Sequence, residues 1–501
     1  MASVERRPLL DEAPGAAGLE GLKTTEWRPS AIATDIATLG VGTVLGGLFN
    51  VALVFLIPKL ISVEDYGYWR LFGLYGAYAG FFHLGLADGA LLRWAGHSIE
   101  EFHDEIGPAT RFLLWQHVVV LVPLCAIAAL LLPRPLRFVA IAIGAYAILV
   151  NVTALLQYAL QGARIFRPVA ISAVAAPALF CLLVLLWASK WPSNSREVVS
   201  LFVLAWSVPA VFLLAWTKPW SGPRRLVGAG KLAKECVLSG WPILMANCGM
   251  MLITYADRLA VSWASTIYNF AQYSLAASAM AVPITAIQVC NKVFFSHLAG
   301  VAAERRKRIY GISSLTLLTA WAVLLPYDIV LGAVVRRFLP KYIPSLPYAR
   351  VLLLGIPFLA AIQIVQMSFA YLNSMQRRFL IRSLGVLAMS LILTSLAAFY
   401  AGSLTVVAAA QVVILGLWWL FNEWTLRDLT EQTRADWLKF LVIYGLVSAS
   451  YWIATGSQGA GVASVGYYTA IGLIFAVTCR RELRDWVRVV ASANERDGYV
   501  G

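Results

Sequence analysis

The chain has 501 residues, 60% of them hydrophobic and 13% charged, with a mean hydropathy of +0.73. A composition this apolar excludes an ordinary soluble domain and a disordered chain, and it defines a membrane protein. The formal net charge of +14 does not point to nucleic acid, because the basic residues are dispersed over many short loops instead of forming one stripe.

Residues 1–30 are polar and rich in small residues, with no apolar core or cleavage pattern, and read as a flexible cytosolic tail, not a signal peptide. From residue 31 onward, apolar segments near the roughly 20 residues that cross a hydrocarbon core recur between short polar breaks. They predict spans at 31–58, 67–93, 110–132, 136–160, 167–188, 197–217, 239–263, 268–296, 309–334, 345–373, 378–400, 403–426, 436–455 and 460–479. The reading is an all-α integral membrane protein of about fourteen transmembrane helices. Its expected parts are an N-lobe (31–217), a basic cytosolic linker (218–238), a C-lobe (239–426), two further helices within 427–479 and a cytosolic tail (480–501).

Between the second and third spans, "AGHSIEEFHDEIG" places His97 and His103 among four carboxylates. A solvated acidic loop accounts for it more simply than a metal site. Six cysteines stand singly without metal or disulfide spacing, so no metal is expected. The glycines at 42 and 46, and at 85 and 89, have the GxxxG spacing of closely packed helices.

With the N-terminus inside, 28 basic residues fall in inner loops and tails and 8 in outer loops, an orientation that obeys the positive-inside rule. Four remain inside the spans: Arg70, Arg258, Lys292 and Arg350. The chain also repeats itself. Aligning 38–72 with 238–276 sets Gly40 against Gly240 and Lys59-Leu60 against Arg258-Leu259. An offset near 200 residues implies two six-helix lobes in the same orientation, related by a pseudo-twofold along the membrane normal. In transporters built from such repeats, the site lies between the halves.

"GTVLGGLFNVALVFLIPKLISVEDYGYWRLF", the later "LGLADGALLR", "YADRLAVSW" and "FLPKYIPSLPYARVLLLGIPF" resemble Wzx-type polysaccharide flippases of the multidrug/oligosaccharidyl-lipid/polysaccharide (MOP) exporter superfamily. The resemblance covers roughly residues 35–425. It implies alternating access between two lobes and movement of an undecaprenyl-pyrophosphate-linked saccharide from the inner to the outer leaflet of a bacterial cytoplasmic membrane. The implied partners are the polyprenyl-pyrophosphate-linked glycan, membrane lipids and a glycan polymerase or other biosynthetic machinery. No cofactor is expected, and a coupling cation, H+ or Na+, is left open.

A pyrophosphate crossing between lobes needs compensating charge, and arginine offers forked donors suited to its oxygens. Arg258 and Arg70 lie toward the outer side, with Lys59 completing an outer basic tier. Lys292 and Arg93 form an inner tier. Neighbours on a helix point about 100° apart, so Asp257 and Arg258 are expected to need separate partners, Asp257 tuning the arginine's site or coupling to a cation. Asp88 is a candidate counter-charge for Arg258, and Asp328 for Arg350, which then has a structural role. Asn151, Gln157, Gln363, Gln366 and Asn373 suit either a sugar path or interhelical hydrogen bonds. A multidrug exporter of the same superfamily is one alternative, although it favours an acidic cavity. An integral-membrane glycosyltransferase or polymerase is another, but no loop carries a catalytic constellation, so an enzyme is not expected.

Overall fold

The computed structural model describes residues 29–188, 194–220, 229–280, 303–325, 327–373, 375–430 and 432–456, with scattered positions in 282–298 and 467–471. Its described residues form helices and turns, with no strand among them. The first half comprises α1 (Pro29–Leu60), α2 (Val63–Gly76), α3 (Leu86–Trp94), α4 (Ile99–Leu131), α5 (Arg134–Gly162), α6 (Phe166–Ala188) and α7 (Ser195–Thr217). The second comprises α8 (Ala229–Ala264), α9 (Ile267–Ala279), α10 (Ala303–Leu324), α11 (Tyr327–Phe338), α12 (Leu346–Leu353), α13 (Ile356–Ala360), α14 (Met367–Leu372), α15 (Gln376–Tyr400) and α16 (Leu404–Thr430); α17 (Arg434–Gly456) follows. Among the described residues nine helices are long and apolar enough to cross a membrane, ten if one bent pair is a single span. The predicted span 460–479 lies, apart from three positions, outside the described residues.

Polar residues at the joints explain where helices start. Ser62 caps α2 by accepting from the Asp65 N–H at 3.0 Å, and Thr266 caps α9 by accepting from the Asn269 N–H at 3.3 Å. The corresponding helix of each half therefore opens on a hydroxyl. Asn194 and Glu197 close a capping box on α7. Asp65 accepts from both the N–H and the Oγ–H of Ser195, at 3.0 and 2.7 Å, and ties the start of α2 to the start of α7.

Four elements differ from the sequence expectation. The acidic stretch after Ser98 is helical, forming the first turns of α4, since Glu100 and Glu101 suit the positive end of a helix dipole. Residues 229–238 of the expected linker belong to α8. The second and tenth spans are broken: a 3-10 turn at Ala77–His83 and left-handed Leu84 and Gly85 (φ 51° and 87°) separate α2 from α3. The tenth bends by 51° between its two parts, with a π-helical turn at Ala361–Gln366 following Pro357.

Packing repeats between the halves. α1 lies on α6 as α8 lies on α15, α6 on α7 as α15 on α16, α2 on α5 as α9 on α12, and α5 on α7 as α12 on α16. Among the described residues the halves meet chiefly where α2 lies on α9 and α3 lies on α8, with smaller contacts of α4 and α2 on α8 and of α1 on α9. The α3–α8 contact is almost backbone on backbone. A Cβ at Gly89 would stand 1.8 Å from the Cys236 carbonyl oxygen, and one at Gly240 would stand 2.0 Å from that of Gly85. The 85/89 glycine pair is thus a packing device, and the 42/46 pair does the same for α1 on α6. Exposed apolar side chains such as Leu130, Leu131 and Ile453 give the bundle an outer face suited to lipid.

Candidate functional site

A cavity of about 560 Å³ lies between the halves. Helical periodicity builds its walls. Asn50, Leu53, Val54 and Ile57 share one face of α1, and Tyr66, Trp69 and Arg70 share one face of α2. From the second half, Asn247, Met250, Met251, Thr254, Tyr255 and Arg258 form one stripe of α8, with Ala277 and Ser278 from α9 and Gln363 from the π-helical turn. Phe180 and Phe202 complete an aromatic wall around Trp69, with ring centroids 5.4 Å from its own. No Asp or Glu is among the lining residues.

The structure brings two predicted arginines, one from each half, to this single cavity. Arg258 lies with its guanidinium 4.0 Å over the Tyr255 ring, three residues back on the same helix face. Its side chain is 13% exposed, and its buried Nε has no hydrogen-bond partner among the described residues. Arg70 likewise has a buried Nε without a hydrogen-bond partner, and no carboxylate among the described residues pairs with it. Two guanidiniums facing a space that no acid lines among the described residues have the chemistry that suits an anion, because a desolvated cation gains most from a charged acceptor.

Asp257 and Arg258 each have a partner of their own, Tyr273 and Tyr255, yet the two side chains also approach one another. Asp257 Oδ1 accepts from the Arg258 backbone N–H at 2.8 Å and lies 3.8 Å from Arg258 Nε, while its Oδ2 accepts from the Tyr273 hydroxyl at 2.7 Å. The short aspartate curls onto its own helix and the long arginine stem folds back toward it, so side-chain reach overrides the 100° step. Asp257 is buried behind the cavity wall and steadies Arg258 without lining the cavity.

The other candidates are placed elsewhere. Lys59 is exposed at the end of α1, 5.8 Å from the centre of the Phe338 ring, and does not line the cavity. Arg93, 42% exposed at the opposite end, pairs with Glu105 at 2.7 Å and with Glu235 of α8 at 3.2 Å, a link between the halves. Asp88 is buried 3.8 Å from His83 Nε2, away from Arg258. Lys292 lies outside the described residues. Arg350 meets Asp328 at 3.1 Å, the structural pair expected of it. Among the described residues no three His, Cys, Asp or Glu side chains converge as metal ligands would.

Of the five amides, only Gln363 lines the cavity. Asn151 donates to the Ala79 carbonyl and contacts His117, both at 2.9 Å; Gln157 donates to Ser172 at 2.8 Å; Asn373 donates to the Phe369 carbonyl at 2.8 Å. Sequence reasoning missed the aromatic wall and the asparagines Asn50 and Asn247. An asparagine about midway along the long helix that opens each half was a legible signal.

Comparison with solved structures places this fold. The chain is similar to a structure described as lipid II flippase MurJ in an inward closed conformation, with a TM-score of 0.66 and 11% identity over 88% of this chain and 98% of that one. It is also similar to an inward-facing multidrug resistance MATE family transporter of the MOP superfamily, with a TM-score of 0.52 and 13% identity over 80% and 99% of the two chains. No protein-family model and no curated protein sequence matches the chain. The protein is a multi-pass membrane protein with the fold of MOP-superfamily transporters. At that level the resemblance read from the sequence agrees with the structural neighbours.

Proposed function

We propose that the protein is a flippase that moves an undecaprenyl-pyrophosphate-linked saccharide from the inner to the outer leaflet of a bacterial cytoplasmic membrane. The observation that carries this reading is the pair Arg70 and Arg258, contributed by different halves to one cavity that no carboxylate lines. Two forked cations suit the paired phosphates, and Trp69, Phe180 and Phe202 offer flat faces to sugar rings. The volume lies within the about 300–1,000 Å³ usual for ligand sites. A lining without acids disfavours the multidrug reading, which calls for a counter-charge to cationic drugs.

Rocking of one half against the other would expose the arginine pair first to one side and then to the other. Mass spectrometry of lipids co-purifying with the protein tests the substrate. A polyprenyl-pyrophosphate glycan retained by the native protein and lost from an Arg70→Ala, Arg258→Ala double variant is the expected result. Equal retention by both would place the lipid outside the cavity.

The orientation has its own test. In a cysteine-free background, a cysteine replacing Asn194 is expected to react with an impermeant thiol reagent in whole cells, and one within 218–228 to be protected. The reverse pattern would invert the topology and the direction of transport with it.

A further inference from the structure

A second cavity, of about 270 Å³, opens between α10, α16 and α17, and the arginine site makes no use of it. Its wall holds Glu423, which is 2% exposed. Glu423 Oε1 accepts from the Tyr310 hydroxyl at 2.7 Å and from Gln366 Nε2 at 3.0 Å. Gln366 also donates to the Trp419 carbonyl at 3.1 Å, and its Oε1 accepts from Asn422 Nδ2 at 2.9 Å. Oε2 is different: it is buried and has no partner in hydrogen-bond geometry among the described residues, with the Trp437 indole nearby. The Ser314 hydroxyl on the same wall is buried and has no hydrogen-bond partner among the described residues either.

A buried carboxylate on the wall of a polar cavity, with one oxygen doubly hydrogen-bonded and the other with no close donor but the Trp437 indole, is half of an exchange site. We propose that Glu423 is a proton-binding site, taking its proton onto Oε2 from water in this cavity. A hydronium gives up its proton and leaves as water, and the carboxylate becomes a neutral acid. A bound metal ion fits less well, because Glu423 offers one free oxygen and Asp436, the other carboxylate on this wall, already accepts from the Thr433 N–H and hydroxyl, which falls short of the six or more oxygen ligands of a hard cation such as calcium, whereas a proton needs one oxygen. The titratable and charged groups facing Glu423 are Tyr310 from α10 and Asp436 and Lys439 from α17, the latter two on the same cavity wall. Neutralising the carboxylate weakens the charge-assisted bonds from Tyr310 and Gln366, and with them the tie between α10, the π-helical turn and α16. Proton uptake here is therefore coupled to helix packing in the second half.

The test is infrared difference spectroscopy of the full-length protein in lipid nanodiscs, stepping from acidic to alkaline buffer. The expected result is loss of a protonated-carboxyl C=O band, which moves to lower frequency in D2O because the proton comes from water. The band should be absent from Glu423→Gln and unchanged in Asp436→Asn. Tyr310→Phe, which keeps the carboxylate and removes one donor to its Oε1, should shift the band to higher frequency. A band that survives in Glu423→Gln, that never appears in the native protein, or that Tyr310→Phe leaves in place would overturn the assignment.

Discussion

Arg258→Ala is expected to abolish glycan export while leaving a folded protein in the membrane. A basic residue in a membrane helix carries an insertion penalty of about 3 kcal/mol at the helix centre, so its removal relieves a cost. Folding does not depend on its ion pair either, because Asp257 keeps the Tyr273 hydroxyl bond and the helix N–H without it. What is lost is anion binding. Charge-assisted hydrogen bonds are worth about 1.5–3 kcal/mol each, so losing one lowers affinity about tenfold to about a hundredfold and losing two about a hundredfold to about ten-thousandfold. The lipid-linked substrate should then accumulate on the inner leaflet. Arg258→Lys keeps the charge and loses the fork and the stacking on Tyr255, so intermediate export would rank charge above geometry. Normal export by the alanine variant at native expression would reduce Arg258 to an interfacial anchor.

Gly89→Val is expected to prevent closure of the α3–α8 contact. The atoms a Cβ would meet are Cys236 O, C and Cα at 1.8, 2.5 and 2.7 Å, all backbone, so no side chain can swing aside. Overpacking costs about 1–3 kcal/mol even where side chains yield, and here a helix must move. Spin labels at the exposed positions 92 and 238 should show the distance distribution moving to longer values, and export should fall. Gly73→Ala is the matched control, since nothing lies within 4 Å of its Cβ. An unchanged distance in Gly89→Val would show that α3 and α8 already part without cost and that their contact is not a gate.

Much of this protein was legible from the sequence because the membrane penalises polarity. Apolar runs between polar breaks announced the helices, and a charge within such a run stood out: Arg70 and Arg258, which line one cavity, and the Arg350–Asp328 pair were all visible that way. The offset between 38–72 and 238–276 likewise announced the two halves whose packing pairs repeat. Tertiary structure alone decided where each charge points. Lys59 aligns with Arg258, yet it stands two residues past the cavity-lining Ile57, about 200° round the helix, and lies out by Phe338, while Arg70 lines the cavity. Arg93 is taken up by Glu105 and Glu235, partners on two other helices that no local pattern specifies. Glu423 lies near the predicted end of its span, where a carboxylate reads as interfacial, and only the convergence of Tyr310, Gln366 and Trp437 from three separate segments buries it. The physical reason is common to all of them. Hydropathy is a property of a segment and is written in one dimension, whereas a charged side chain's role depends on which other segments surround it.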